Sequence, residues 1–222
     1  MTVGELKAHY PVLYHVSSAG SWPSIQTHGL LSTAAILDLF EVDPTQRAAI
    51  ERQCRRTSVE LTHSTHGRIV IRDQRVLSES KLAGCLSDGL STEDWLIALN
   101  RKVFFWLKEH RFAGLLNARA YRGDRQTVIT VDTARLLERH ENEIELSHMN
   151  SGSTSPFAHT RGRDTFKSIA DYPFEARKRM RGLSNAIAEL TVDYAVPNVA
   201  AFAIRVDQVG AGQPPEVLWE RG

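Results

Sequence analysis

The chain has 222 residues, 42% of them hydrophobic and 24% charged, with a formal net charge of +1. These values are typical of a soluble globular protein with one sizeable core, or at most two small ones, and no apolar run reaches the length that spans a membrane. A protein that is basic overall is excluded, so any nucleic-acid site must be a local basic patch.

The cellular compartment is predicted from the cysteines and from the N-terminal residues. Cys54 and Cys85 are the only cysteines, and their spacing forms neither a disulfide framework nor a C-x-x-C pair. Residues 1–11 lack the basic start and apolar core of a signal peptide. We therefore expect a cytoplasmic protein that does not associate with a membrane.

The first half of the chain mixes short strands with helices. Its predicted elements are a strand over 12–16, a short helix with Pro23 in its first turn and Gly29 after its last, helices over 32–42 and 44–56, a strand over 68–73 and a helix over 91–99. The helix over 32–42 has Ser32 or Thr33 as its expected cap. Ser91 and Asp94 form a variant of the capping box for the last helix of this half.

The second half of the chain carries the longer strands. They are predicted over 102–107, 126–132, 142–148, 188–196 and 200–209, with a helix over 110–121 and a short helical turn between the second and third strands. Residues 149–165 are rich in Ser, Gly and Thr and predict a long loop, which at that length is usually functional or mobile. Because strands and helices do not alternate as βαβ units, we expect an α+β fold with a mostly antiparallel sheet.

Several well-known catalytic motifs are absent from the sequence. It contains no P-loop, no G-x-G-x-x-G after a predicted strand, no G-x-S-x-G and no H-E-x-x-H. His63 and His66 could form a metal pair, but no Cys or acidic residue stands at ligand spacing, so an exposed loop is the favoured interpretation. We therefore expect no metal.

Three segments, in order along the chain, resemble the motifs of the ADP-ribosyltransferase superfamily. The first, "YHVSS…WPSIQTHGL", is similar to a strand with His-x-Thr/Ser followed by a helix that ends in Ile-x-x-x-Gly-Leu. The second, "KVFFWLKEHRFAGLL", is similar to an aromatic strand that leads into an Arg-bearing helix. The third, "AIAELTVDYAVPNVAAFAIRV", resembles a strand on which Ala-Glu-x-x-Val carries the catalytic glutamate. The likeness is greatest to the DarT-type DNA ADP-ribosyltransferases and to related small bacterial domains.

The resemblance implies a fold and a reaction. The fold is a single domain over residues 1–222, with a split, mostly antiparallel sheet flanked by helices. The segment between the first and second motifs is longer than in the family pattern, so a mostly helical insertion is expected around 32–100. The implied reaction uses NAD as substrate, releases nicotinamide and transfers ADP-ribose to an acceptor, without a metal.

The resemblance also assigns roles to six residues, with Glu189 and Arg111 as catalytic residues and His15, Ser17, Tyr14 and Phe105 as the NAD-binding set. A His at a strand end can hydrogen-bond a ribose hydroxyl. A carboxylate can stabilise the oxocarbenium-like ribose that forms as nicotinamide leaves. The fork of an Arg can pair with the NAD diphosphate or with the acceptor.

Each assignment has a structural alternative. A His in a buried strand or a Ser in a turn is commonly a structural residue, and Glu189 is also compatible with a solvated, outward-facing side chain. The aromatic residues 104–106 are typical of a core. Arg111 is compatible with a plain helix-surface charge, and Arg119 is the alternative for its role in the motif.

The likeness to DarT-type enzymes implies a nucleobase in single-stranded DNA, or another nucleic acid, as acceptor, and a toxin–antitoxin or phage-defence setting with an antitoxin or immunity partner. Basic clusters at 119–125, 161–163 and 177–181 are candidates for contacts with a phosphate backbone, with Tyr121 or Phe157 stacking on a base. Ordinary solvated charge is the alternative. An RNA 2′-phosphotransferase, a protein-directed ADP-ribosyltransferase and a catalytically silent nucleic-acid-binding module are the other functions that stay open.

Overall fold

An eight-stranded antiparallel sheet forms the centre of the protein, in a computed structural model that describes residues 1–119 and 121–222. The strands are β1 (Val12–Ser18), β2 (Leu30–Leu31), β3 (Val59–His63), β4 (Gly67–Ile71), β5 (Lys102–Trp106), β6 (Arg125–Asp132), β7 (Ile144–Ser147), β8 (Lys167–Ser168), β9 (Glu189–Asp193), β10 (Ala195–Val196), β11 (Ala203–Gly210) and β12 (Gln213–Glu220). The helices are α1 (Val3–His9), α2 (Trp22–His28), α3 (Thr33–Leu39), α4 (Pro44–Glu51), α5 (Glu79–Ala83), α6 (Thr92–Asn100), α7 (Glu109–Leu116), α8 (Thr133–His140), α9 (Phe174–Arg181) and α10 (Leu183–Ala186).

The sheet is split in its middle. Its strand order is β12-β11-β6-β1-β5-β9-β7-β8. Strands β1 and β6 are in register over the whole of β1, from Val12 to Ser18, whereas β1 and β5 share the single pair Tyr14 and Trp106. The two halves of the sheet therefore diverge on either side of that pair. The expected α+β fold with a mostly antiparallel sheet is confirmed.

The main core packs one face of the sheet against helices α1, α2 and α8. Leu13 of β1, Phe105 of β5 and Leu190 of β9 are fully buried there, together with Leu6 of α1 and Leu136 of α8. The alternation along the central strands explains this placement, because successive side chains of a strand point to opposite faces.

The segment over 32–100 contains α3, α4, the β3–β4 hairpin, α5 and α6. It buries two apolar clusters of its own, one between α3, α4 and the hairpin and one around Trp95 of α6. The capping signals in the sequence act as predicted, since Ser32 accepts from Ala35 N and Ser91 forms a capping box with Asp94. The helix predicted over 44–56 ends five residues earlier, at Glu51.

Three further elements differ from the sequence-based prediction. The helix predicted over 110–121 ends at Leu116, and Ala120 within that range lies outside the described residues. The strand predicted over 188–196 is interrupted at Tyr194, whose φ is 63°. Strand β12 was not predicted. It contains two prolines, which a strand tolerates at a sheet edge, and β12 is the edge strand. Among the described residues, no helix has the length and apolar character needed to cross a membrane.

Candidate active site

The split between β1 and β5 borders a cavity of about 450 Å³. Three parts of the chain form its walls: the end of β1 with the turn and helix that follow, strands β5 and β9, and the segment around β4. His15 and Ser17 of the first motif and Glu189 of the third all line it. A cavity of this volume lies within the usual range of small-molecule sites. The fold thus brings two motifs that are far apart in sequence to one cavity.

His15 bridges the point at which β1 diverges from β5. Its Nδ1 lies 2.9 Å from the carbonyl oxygen of Phe104. Because a carbonyl oxygen can only accept, Nδ1 carries the proton and Nε2 keeps a lone pair. Burial lowers the pKa of His15 to about 4. The hydrogen bond to Phe104 acts in the opposite direction, and the charge of Arg72 adds to the lowering. The ring is therefore neutral at neutral pH, and its Nε2 is an acceptor.

Ser17 continues the polar lining where β1 ends. Its Oγ lies 2.7 Å from Oγ of Ser21, and it also donates to the carbonyl oxygen of Thr127 at 3.4 Å. Ser24, which also lines the cavity, has a buried Oγ without a partner among the described residues. This wall therefore offers several hydroxyl groups to a polar ligand.

The backbone at position 29, in the first motif, requires a glycine. Its φ is +79°, and a Cβ at this position would lie 2.7 Å from the carbonyl oxygen of Val196. Only glycine fits both the left-handed backbone and this close approach. The Gly-Leu pair at the end of the motif thereby lets β2 pair with β10 beside the cavity.

Glu189 is the buried carboxylate of the site. It begins β9 opposite Trp106 of β5 and Ser147 of β7, and its side chain is 3% exposed. Ser151 donates twice to the same oxygen, Oε2, from its backbone N–H at 3.0 Å and from its hydroxyl at 2.7 Å. Burial raises the pKa of Glu189 to about 7, although the bonds from Ser151 and the charges of Arg111 and Arg161 act in the opposite direction.

The loop that carries Ser151 is held by a buried arginine. Arg161 is 1% exposed and donates to three carbonyl oxygens, those of Ser151 at 2.9 Å, Ser153 at 3.0 Å and His159 at 3.1 Å. These bonds fix the loop in the shape in which Ser151 reaches Glu189. The richness of this loop in Ser and Gly indicates its importance, but no signal in the sequence singles out Ser151. The sequence predicts Arg161 only as part of a basic cluster for a phosphate backbone, not as the residue that holds the loop.

The remaining residues of the predicted set are not among the described residues that line the cavity. Arg111 lies near enough to Glu189 to lower its pKa, and it donates to Oδ1 of Asn185 at 2.9 Å. Tyr14 packs against Phe112, with ring centroids 5.0 Å apart. Phe105 is fully buried in the core and contacts the ring of His15 from there, at 5.8 Å.

Only some residues of the basic clusters predicted from the sequence, and of the aromatic residues considered with them, are exposed. Arg161 is buried, and Tyr121 is 4% exposed with its hydroxyl bonded to Asp73 at 2.8 Å. Neither is available to a nucleic acid, which corrects their interpretation as surface contacts. Phe157 is 73% exposed, and Arg119 is also exposed.

The two histidines at 63 and 66 are part of an aromatic cluster. Their rings stack with centroids 4.7 Å apart, and both contact the ring of Phe40 at 5.9 Å. Within residues 1–119 and 121–222, no group of three or more His, Cys, Asp or Glu side chains is arranged to hold a metal ion.

The fold and the cavity define an α+β protein with a split antiparallel sheet and a buried carboxylate beside the split. The chain belongs to DUF7002, a family of unknown function, whose model matches residues 11–203. No curated protein matches the sequence. Among solved structures, Thermosipho africanus DarTG in complex with ADP-ribose is similar, with a TM-score of 0.46 and 12% identity. The match covers 89% of this chain and 43% of that chain, so this chain spans less than half the length of that protein.

Proposed function

We propose that the chain is an NAD-dependent ADP-ribosyltransferase of the DarT-like type, that NAD binds in the cavity at the split, and that the acceptor is a nucleic acid. One observation carries the proposal. His15, Ser17 and Glu189, which the family resemblance assigns to NAD binding and catalysis, line a single cavity although they come from opposite ends of the chain.

His15 is suited to holding a ribose. Its proton is on Nδ1, bonded to the carbonyl oxygen of Phe104, so Nε2 accepts a hydrogen bond from a ribose hydroxyl. The low pKa of the ring keeps it in this form at neutral pH. Ser17 adds a hydroxyl to the same wall of the cavity.

Glu189 is suited to stabilising the transition state. As the bond from the ribose C1′ to nicotinamide breaks, positive charge develops on the ribose, and an ionised carboxylate nearby lowers the barrier. Ser151 holds one carboxylate oxygen through two hydrogen bonds. The other oxygen, Oε1, can then orient a ribose hydroxyl or take a proton from the acceptor.

The proposal of a nucleic-acid acceptor is supported by helix α9. Burial lowers the pKa of His148 to about 4, and the nearby charges of Arg177 and Arg181 lower it further. His148 lies three residues before Ser151, which bonds to Glu189, so the basic helix lies near the start of the loop that holds this carboxylate. Arg177, Arg179 and Arg181 form no ion pair with any described residue, which leaves their charge available to phosphates.

Labelled NAD incubated separately with single-stranded DNA, RNA and protein extract tests this function. We expect nicotinamide release that depends on nucleic acid, with the label covalently attached to it. The Glu189→Gln variant should retain NAD binding and release nicotinamide about a hundredfold more slowly, because the lost charge acts mainly in the transition state.

Each alternative gives a different result in this experiment. Label on protein indicates a protein-directed transferase. Turnover only with RNA that carries a 2′-phosphate indicates a 2′-phosphotransferase. Nucleic-acid binding without nicotinamide release from the parent, with any acceptor, indicates a silent binding module and contradicts the proposal.

A further inference from the structure

Three arginines of the segment over 32–100, Arg55, Arg68 and Arg72, line the cavity, although none belongs to the three motifs. Arg68 is paired with Glu60, so Arg55 and Arg72 are the two without an ion pair among the described residues. Arg55 is 9% exposed and donates to the carbonyl oxygen of Ile50 at 2.7 Å and to that of Arg72 at 3.0 Å. Arg55 therefore holds the backbone of Arg72 in place. Arg55 and Arg72 thus line the same part of the cavity.

Arg72 reaches from this part of the cavity to the first motif. It follows β4, and its Nη1 donates to the carbonyl oxygen of Val16 at 3.2 Å, between His15 and Ser17. Its guanidinium also lies over the ring of Tyr121, 5.3 Å from the ring centroid. The positive charge is close enough to His15 to contribute to the low pKa of that ring.

Asp73 lies near enough to Arg55 and Arg72 for its charge to raise the pKa of both, yet neither arginine is paired with a carboxylate of the described residues. Within the part of the chain that the structure describes, Arg55 and Arg72 form no ion pair. Asp73, the neighbouring acid, is bonded instead to Arg75 at 3.0 Å and to the hydroxyl of Tyr121 at 2.8 Å. Burial lowers the pKa of Arg72 and lowers that of Arg55 to about 10.

A buried charge without a counter-charge is unfavourable unless a ligand supplies the balance. Here one buried arginine, Arg55, and one partly buried arginine, Arg72, line a cavity of about 450 Å³ that is open to a small molecule. The guanidinium fork of an arginine matches two oxygens of a phosphate group, and the resulting charge-assisted hydrogen bonds are strong. An anionic ligand would therefore balance these charges.

We infer that Arg72 forms an anion subsite that binds the diphosphate of a nucleotide in this cavity, with Arg55 as its positioning residue. The subsite deepens the proposed function, and the identification of the nucleotide as NAD rests on that function. Arg111, expected from the sequence to pair with the diphosphate or with the acceptor, is not among the described residues that line the cavity. Its Nη2 donates to Asn185, and its buried Nε has no partner among the described residues. The diphosphate role therefore passes to the segment over 32–100.

Calorimetric titration with NAD, adenosine diphosphate and adenosine tests the subsite. In Arg72→Gln, affinity for NAD and for adenosine diphosphate should fall about tenfold or more, while adenosine binding stays unchanged because it has no phosphate. Arg75→Gln is the matched control, since it removes the same charge from a neighbouring guanidinium that Asp73 and Asp124 already balance. Its affinities should stay within about twofold of the parent values.

Thermal melting of the ligand-free protein separates ligand binding from a structural role. Arg72→Gln should melt at the same temperature as the parent or higher, because it removes a partly buried charge that has no ion-pair partner among the described residues. Arg72→Met is a second neutral variant, and it keeps the aliphatic stem beside Tyr121. Unchanged affinity for adenosine diphosphate in either folded variant overturns the subsite and leaves the transferase proposal intact.

The two proposals can also fail in the other order. If the parent binds adenosine diphosphate through Arg72 but releases no nicotinamide with any acceptor, the subsite stands and the transferase function is rejected. If the parent binds neither adenosine diphosphate nor NAD, both are rejected.

Discussion

At the scale of single residues, Glu189 shows how a site balances opposing effects on one group. Burial favours its neutral form, while the two hydrogen bonds from Ser151 and the nearby charges of Arg111 and Arg161 favour the ionised form. The outcome is a pKa of about 7, at which a carboxylate changes its charge near physiological pH. This balance makes the stability of the protein, and its proposed activity, depend on pH.

We expect Glu189→Gln to raise the melting temperature at pH 8. The pKa of Glu189 in the folded protein, about 7, lies above its ordinary value of 4.5, so its contribution to stability is complete below pH 4.5 and is lost as the pH rises through about 7. Glutamine does not titrate and avoids this loss. Melting curves at pH 5 and pH 8 measure the effect, and the gain should shrink at pH 5. An equal difference at both pH values contradicts the raised pKa.

His15→Ala should weaken NAD binding about tenfold or more, equivalent to about 1.4 kcal/mol, because it removes the acceptor on the ribose-facing wall. Titration with a slowly hydrolysed NAD analogue measures the affinity. His140→Ala is the control, since His140 is bonded to Glu143 and is not among the described cavity residues. Unchanged affinity in a folded His15→Ala variant removes His15 from the site.

The sequence predicts the residues on strands better than those on loops. His15 and Glu189 lie in segments that the sequence predicts as strands, and the structure has them on β1 and β9. Ser151 and Arg72 reach the candidate site through contacts with residues distant in sequence, which no local pattern encodes. The buried state of Arg161 is equally hidden, because an arginine in a polar loop normally predicts an exposed charge.

At the scale of elements, the site depends on how β1, β5 and the loop over 148–162 meet. The strands and the capped helices follow from periodicity and capping, and their bounds agree with the structure to within a few residues, apart from the ends of α4 and α7. Two strands escape prediction. The hairpin strand β3 is missed although Val59–His63 alternates between apolar and polar residues, and the edge strand β12 does not alternate and contains two prolines. The divergence of β1 from β5 is a tertiary feature, and it creates the cavity.

Ser151→Ala should move the pH dependence of the reaction upward. The variant loses the hydroxyl that donates to Oε2 of Glu189, and since that bond favours the ionised form, its loss raises the pKa of Glu189 further. The rate of nicotinamide release, measured from pH 5 to pH 9, should reach half of its maximum at a higher pH than in the parent.

Ser153→Ala is the control for this variant. Its hydroxyl donates to the carbonyl oxygens of Val76 and Ser155 in the same region and does not bond to Glu189. The profile of this variant should match that of the parent. An unshifted profile in Ser151→Ala means that the loop does not tune the carboxylate.

At the scale of the whole molecule, the cavity is assembled from distant parts of the chain. The first motif, the segment over 32–100 and strand β5 supply its walls, and the third motif adds Glu189. The overall net charge of +1 hides a local asymmetry, in which unpaired cations gather on α9 and next to the site. Composition alone could not predict this arrangement, because it depends on which charges the fold pairs and which it leaves at the surface.

Helix α9 should give nucleic-acid binding that depends steeply on salt. Arg179 and Arg181 are exposed and Arg177 is half-buried, so the helix can contact several phosphates, and each neutralised phosphate releases counterions. Replacing Arg179 and Arg181 with Gln should weaken binding to all single-stranded sequences alike and flatten the salt dependence.

Lys178→Gln is the matched control, because its ammonium group is already paired with Glu175 at 3.0 Å. Fluorescence anisotropy with oligonucleotides at rising salt measures both effects. Binding that is insensitive to salt, or equal loss in the control, places the acceptor surface away from α9, because electrostatic contacts with phosphates cannot be independent of salt.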